Sequence, residues 1–147
     1  MSDDKRQARE YAIGALTRRE HSRKELTRKL RAKGYDLGLI EPLLDQLCQE
    51  GLQSDTRYAD SYLFSRIQKG YGPVRLRHEL RERGIDDSTI EYSLDNLDID
   101  WIQRVMEVRE KKFGTQIPKD YKEQAKESRF LQYRGFTSEQ IRILYQR

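Results

Sequence analysis

Three glycines recur along the chain at almost equal intervals, and this spacing constrains the fold more than any other feature. Gly34, Gly84 and Gly135 stand about fifty residues apart in a chain of 147 residues. Apolar residues keep the same positions around each glycine, at the three- and four-residue spacing of one buried helical face. The matched sets are Leu26 with Leu76; Leu30 with Leu80 and Leu131; Ile40 with Ile90 and Ile141; Leu44 with Leu94 and Tyr145; and Leu47 with Leu97. The pattern predicts three copies of one helical unit.

Residues that favour helix starts recur in the same register. Ser22 and Glu25 form a capping-box pattern, in which each side chain binds the backbone N–H of the other residue. In the second unit Gly72-Pro73 takes that place, in the third Asp120 with Glu123, and after the three glycines stand Asp36, Asp86 and Thr137 as N-caps. Each unit is therefore predicted as helix, helix, glycine, helix. No alternation of β-branched and polar residues predicts a strand.

The composition limits how these units are arranged. Hydrophobic residues make up only 35% of the chain and charged residues 37%, so each unit alone has too few apolar side chains to bury. We therefore predict an all-α protein of three tandem three-helix repeats stacked into an elongated, curved molecule. The repeats are predicted at residues 1–53, 54–98 and 99–147, with their first helices at 7–19, 56–68 and 101–113.

The sequence contains no pattern typical of a catalytic or metal site. Its two histidines, His21 and His78, belong to different units and have no cysteine or carboxylate at ligand spacing beside them. The glycines around Tyr71 lack the spacing and the Lys-Ser/Thr pair of a phosphate loop. Cys48 is the single cysteine, and no run is long and apolar enough to span a bilayer. We expect no enzyme activity, cofactor, metal or membrane contact, and a cytoplasmic protein.

Charge is sorted by helix. Residues 18–33 contain eight Lys or Arg against two Glu, and in the first two units the middle helix is basic and the third helix is acidic, whereas the third unit is basic overall. Part of this follows from the helix dipole, which favours acids near a helix start and bases near its end. A solvated, ion-paired surface and a basic stripe for a charged partner both remain open.

Tyrosine and arginine are concentrated in the central unit, a combination typical of protein interfaces and of surfaces that bind nucleic acid. The tyrosines are Tyr58, Tyr62, Tyr71 and Tyr92, among basic residues that include Arg81 and Arg83. Tyr58, Tyr62 and Tyr92 lie at a spacing compatible with the core. Tyr71 lies in a predicted turn and has less reason to be buried.

This central unit resembles the RecX family, regulatory proteins of the bacterial recombinase RecA. The matching residues are Asp55-x-Arg57-Tyr58-Ala59 with Tyr62, then Arg66, Lys69-Gly70-Tyr71-Gly72-Pro73, Arg77, Glu79-Leu80 and Arg83-Gly84-Ile85, with Tyr133-Arg134-Gly135-Phe136 in the third repeat. The resemblance implies three tandem three-helix repeats and a non-enzymatic protein that binds the groove of the RecA filament on single-stranded DNA. It also implies inhibition of ATP hydrolysis, strand exchange and co-protease activity in homologous recombination, DNA repair and the SOS response.

The resemblance and the Tyr and Arg content together select the candidate contact residues. These are Arg57, Arg66, Lys69, Tyr71, Arg75 and Arg77, with Tyr58 and Tyr62 expected to hold the helix in place. We expect a monomer that binds bare DNA weakly. Two other classes remain open: a direct DNA-binding protein of winged-helix type, with residues 22–33 as its recognition helix, and a helical protein–protein adaptor. The lack of a predicted β-wing after Leu47 counts against the first.

Overall fold

The computed structural model describes residues 3–146 of the chain. These residues contain nine helices and no strand. The helices are α1 (Asp3–Arg18), α2 (Arg23–Ala32), α3 (Leu37–Gln49), α4 (Asp55–Gln68), α5 (Pro73–Glu82), α6 (Asp87–Leu97), α7 (Trp101–Phe113), α8 (Tyr121–Arg134) and α9 (Ser138–Tyr145). Each predicted repeat contains three consecutive helices. The all-α class and the tandem three-helix repeats are confirmed.

The repeated caps act where the sequence predicts them. The Ser22 side chain accepts from the Glu25 N–H and Glu25 Oε1 accepts from the Ser22 N–H, both at 3.1 Å, and Thr137 with Gln140 forms a second capping box. Asp36 caps α3 and Asp86 accepts from the Thr89 N–H at 2.8 Å. Asp120 also caps its helix, although it accepts from the N–H of Lys122 and not of Glu123. The glycines Gly34, Gly84 and Gly135 have φ of +97°, +83° and +102°, which is the left-handed conformation that ends a helix.

The first helix is longer than predicted. It begins at Asp3, four residues before the predicted start, and it ends at Arg18. Asp3 and Asp4 lie in the first turn, where negative charge stabilises the helix dipole, and Arg6 pairs with Asp3 at 2.9 Å. The other two first helices begin at Asp55 and Trp101, within one residue of the prediction.

The backbone divides into two compact units, of which the first takes in the chain up to Ser61 together with Leu80–Ser93. Its main core is formed by α1, α2 and α3 through the fully buried residues Ala8, Ala12, Ala15, Leu26, Leu30, Ile40, Leu43, Leu44 and Leu47. Asp55 ties the start of α4 to this core region, because its Oδ1 accepts from the Arg23 N–H at 2.8 Å and from the Gln53 side chain at 2.9 Å. Asp55 therefore has a structural role at the start of α2.

The second unit takes in Tyr62–Glu79 and the chain from Leu94 onward. Its core joins α7, α8 and α9 through Val105, Leu131, Phe136, Ile141 and Leu144. The Trp101 ring meets the Phe136 ring edge-on, with centroids 6.4 Å apart. Trp101 is thus part of the apolar packing of this unit.

A buried ion pair fixes the loop between α7 and α8. The Arg109 side chain is 1% exposed; its Nε donates to Glu127 at 2.7 Å, and its other nitrogens donate to the carbonyls of Gly114 and Gln116. The Tyr145 hydroxyl donates to Glu127 at 2.8 Å. Burial, followed by the Glu127 hydrogen bond, raises the pKa of Tyr145. Every charge in this site has a partner, as buried charges require.

Candidate interaction surface around Tyr71

The turn between α4 and α5 is shaped by two glycines and by the end of α8. Gly70, with φ of +96°, ends α4 in the left-handed conformation, and the Tyr71 N–H then donates back to the Arg66 carbonyl at 3.2 Å. The N–H groups of Gly72 and Val74 donate to the carbonyls of Arg134 and Gly135 at 2.8 and 2.9 Å. These bonds satisfy donors that the first turn of a helix leaves open.

The close approach of these two turns requires glycine. A Cβ at Gly72 would lie 2.5 Å from the backbone carbon of Gly135, a distance that real Cβ atoms do not show. Because the two backbones touch here, the Tyr71 turn is held against the end of α8. The side chains of both segments consequently share one surface.

Three guanidinium groups surround the Tyr71 ring. The Cζ atoms of Arg66, Arg75 and Arg134 lie 3.8, 4.5 and 4.9 Å from its centroid. A cation within about 6 Å of an aromatic ring is attracted by the ring's quadrupole, with about 0.5–1 kcal/mol for each exposed contact. The Tyr71 ring therefore helps to hold three like charges close together.

Glu79 forms ion pairs with two of these arginines. Its carboxylate accepts from Arg66 Nη2 and Arg75 Nε, both at 3.0 Å, and from the Tyr62 hydroxyl at 2.7 Å. Burial by itself would raise the pKa of Glu79, but the hydrogen bonds from Arg66, Tyr62 and Arg75 lower it to about 2. The carboxylate is thus ionised at neutral pH and fixes the arginine side chains in place.

Tyr133 extends this arrangement on α8. Its side chain is 75% exposed, Arg75 Cζ lies 5.2 Å from its ring, and Arg75 Nη1 donates to its carbonyl at 3.3 Å. Arg134 Nη1 in turn donates to the Lys69 carbonyl at 3.2 Å. We call the set Arg66, Tyr71, Arg75, Tyr133 and Arg134 the Tyr71 surface.

The candidate contact residues predicted from sequence fall into two groups. Arg66, Tyr71 and Arg75 lie together, the Lys69 side chain is exposed at the same turn, and Arg77 is half-buried on α5. Arg57 belongs to the first unit, where it pairs with Glu20 at 3.0 Å and donates to the Gly51 carbonyl. Their contact with a partner stays a prediction.

The expected supporting tyrosines differ in burial. Tyr58 is 5% exposed and Tyr62 is half-buried against Glu79, so both stabilise the helix that carries them. Tyr92 is 62% exposed on α6, although its spacing in the sequence is compatible with a place in the core. Helical spacing alone did not separate it from the buried tyrosines.

Sequence reasoning missed Glu79, Tyr133 and Arg134 as members of this site. The sequence did indicate a contact for Glu79, because Arg75 and Glu79 are four residues apart on one helix and residues at that spacing are neighbours. Tyr133 and Arg134 are remote in the chain from Tyr71, and no local pattern connects them to it. Only the contact between the two glycine turns brings them together.

The described residues offer little for metal or membrane chemistry. Between residues 3 and 146 there is no group of three or more His, Cys, Asp or Glu that could hold a metal ion. No helix in that range is both long and apolar enough to cross a membrane. His21 is buried, and burial lowers its pKa; its Nδ1 lies 3.0 Å from the Arg19 carbonyl.

Comparison with known proteins gives a consistent result over the whole chain. Family models of the first, second and third three-helix domains of RecX match residues 8–47, 54–94 and 98–144. A Regulatory protein RecX of Pseudomonas entomophila is 49% identical over 133 residues, which are 90% of this chain and 86% of that protein. One of Halorhodospira halophila is 42% identical over 134 residues, which are 91% of this chain and 83% of that protein. The crystal structure of RecX from Lactobacillus salivarius is similar with a TM-score of 0.85 at 25% identity, over 99% of this chain and 97% of that one.

Proposed function

The chain belongs to the RecX family, and from that premise we propose that it regulates the recombinase RecA by binding the filament that RecA forms on single-stranded DNA. Bound there, it restrains ATP hydrolysis, strand exchange and co-protease activity, because it occupies a groove that duplex DNA or a repressor would otherwise enter. Relatives that share 42–49% of their residues with this chain are named regulatory proteins, which supports a regulatory role. Family membership is the observation that carries the proposal.

The Tyr71 surface is the contact region we propose within the second unit. Tyr and Arg are enriched at the energetic centres of protein interfaces because they combine a large contact area with directional hydrogen bonding. The Arg66 and Arg75 side chains are already fixed by Glu79, so less side-chain entropy is lost when a partner binds. Lys69 and Arg77 are proposed at the edge of this region, and Arg57 as a separate contact on the first unit.

The remaining parts of the proposal follow from this role. A regulator that acts by occupying a groove needs no catalytic group, cofactor or metal of its own, and a monomer is enough. Its place is the cytoplasm, where the bacterial chromosome and its recombinase are found. Two alternatives differ from this proposal. A protein–protein adaptor would bind its partner through the same surface without regulating it, and a direct DNA-binding protein would bind nucleic acid in place of the filament.

Two exposed tyrosines on α8 provide a matched test. Tyr133 lies on the Tyr71 surface and Tyr121 lies at the start of the same helix, and they are 75% and 84% exposed. We expect Tyr133→Ala to raise the concentration needed to half-inhibit the RecA–DNA ATPase about five- to thirtyfold, as truncation of an interface tyrosine does. Tyr121→Ala is expected to leave it unchanged.

The readout is steady-state ATP hydrolysis by RecA on single-stranded DNA, with the helicity of both variants checked by circular dichroism. If wild-type protein leaves ATP hydrolysis unchanged while binding the filament, the adaptor is the better description. Equal inhibition by both variants and the wild type would show that Tyr133 is not part of the contact region.

A further inference from the structure

The second unit contains a basic cavity that adjoins the proposed contact region and shares Lys69 and Arg134 with it. The cavity has a volume of about 390 Å³ and lies between the end of α4, α7 and α8. Its cationic lining residues are Lys69, Arg104, Lys111, Lys112 and Arg134, and Glu107 is its single carboxylate. These six side chains give a net charge of +4, as large as the formal net charge of the whole chain.

The two arginines of the cavity are held by the protein itself. Arg104 donates to Glu107 at 2.5 Å and to the Ile67 carbonyl at 2.6 Å, and Arg134 donates to the Lys69 carbonyl. Their charges are therefore fixed at the cavity wall. They raise the positive potential without needing to move.

The lysines leave the cavity's charge unbalanced. Across the described part of the chain, neither the Lys69 nor the Lys111 ammonium group has an ion-pair partner. The Lys112 ammonium lies 5.5 Å from the Phe130 ring, which Arg134 also approaches.

These observations favour a phosphate group as the ligand. Lysine ammonium groups are mobile point charges that suit phosphate, and the recess with its apolar wall of Val108 and Phe130 strengthens their attraction. The volume lies at the low end of the range for small-ligand sites, about 300–1,000 Å³. We propose that this cavity binds a phosphate group of a nucleotide, from a free nucleotide or from the backbone of single-stranded nucleic acid. The proposal does not rest on the regulatory function, because it can be tested without recombinase.

The test compares two pairs of lysines in the full-length protein. Lys111→Gln with Lys112→Gln removes two charges from the cavity, and Lys122→Gln with Lys126→Gln removes two exposed charges from α8 outside it. Isothermal titration calorimetry at low salt measures the binding of three probes: ATP, pyrophosphate, and an oligothymidylate that has backbone phosphates but no terminal phosphate. We expect the cavity variant to weaken phosphate binding at least about tenfold, because charge-assisted contacts are lost, and the control variant to change it about twofold or less.

The three probes distinguish the source of the phosphate. Weaker binding of ATP and pyrophosphate by the cavity variant assigns the site to free nucleotides, and weaker binding of the oligonucleotide alone assigns it to a nucleic-acid backbone. The proposal is overturned if the wild type binds none of the probes, or if both variants weaken binding equally, since that result indicates only diffuse attraction. Displacement of ATP by a glutamate peptide at lower concentration than by pyrophosphate would also overturn it.

Discussion

Replacing Glu79 by glutamine tests whether one carboxylate holds the Tyr71 surface together. The substitution keeps the size of the side chain and an oxygen that can accept from the Tyr62 hydroxyl, but it removes the charge that pairs with Arg66 and Arg75. We expect the second unit to become less stable at neutral pH. The two arginines should also become more mobile around the Tyr71 ring.

The size of the effect follows from the pKa of Glu79. That pKa lies at about 2 against an ordinary 4.5, and each pKa unit corresponds to about 1.4 kcal/mol of preferential stabilisation of the ionised form. The difference corresponds to at most about 3–4 kcal/mol. Because the arginine partners are 21% and 29% exposed, water screens part of the interaction, and we expect a loss of about 1–3 kcal/mol.

The sign of the pH dependence is also determined. A carboxylate whose pKa is lower in the folded state contributes its full stability above its unfolded pKa, near 4.5, and loses it as the pH falls toward about 2. The wild type should therefore lose more stability than Glu79→Gln between pH 5 and pH 2. The two proteins should become nearly equal at the acid end.

Trp101 provides the assay, because it is the single tryptophan and packs against the core of the second unit. Urea unfolding followed by its fluorescence at a series of pH values gives the free energy of unfolding. Glu110→Gln is the control, since that carboxylate is exposed on α7 of the same unit. A Glu79→Gln protein within about 0.5 kcal/mol of the wild type at pH 7, or with the same acid dependence, would refute the reasoning.

Five further substitutions, two of them controls, test the packing. Leu80→Ala, at a fully buried matched position, should cost about 2–5 kcal/mol in urea unfolding followed by circular dichroism, whereas Val74→Ala, 52% exposed on the same helix, should stay within about 0.5 kcal/mol. Gly72→Ala should lower the melting temperature, because its Cβ would lie 2.5 Å from the backbone of the facing turn; Gly14→Ala, with no atom within 4 Å, should stabilise α1 by up to about 1 kcal/mol. Arg109→Met should cost about 3–5 kcal/mol in the Trp fluorescence assay, because it leaves a buried carboxylate unpaired, and a neutral result would show that water reaches that site.

The repeats could be predicted from sequence because their signals are local. A cap joins residues three apart, as Ser22 does with Glu25, and a left-handed glycine such as Gly34 is needed wherever a helix ends in that way. The buried apolar positions follow from the 3.6-residue period of the helix. The early start of α1 at Asp3 was missed because no apolar residue marks those first turns.

The site was only partly predictable because half of it is built by distant contacts. Arg66 and Arg75 could be selected from their place near Tyr71, but Tyr133 meets them only because the Gly72 turn touches the end of α8. The buried pair of Arg109 and Glu127 could not be predicted either, because the two residues are distant in the chain and a charged residue on a helix is normally solvated. In both cases the missing information is tertiary.

The most direct test of the proposed function compares the affinity of the protein for a RecA filament with its affinity for the same single-stranded DNA without RecA, over a series of salt concentrations. Binding to bare DNA should be weak and should fall steeply with salt, because it depends on released counterions. Filament binding should be tighter and less sensitive to salt, because the tyrosines of the Tyr71 surface add contacts that ions do not screen. Equal affinity for bare DNA and filament at every salt concentration would contradict the account and identify a direct DNA-binding protein.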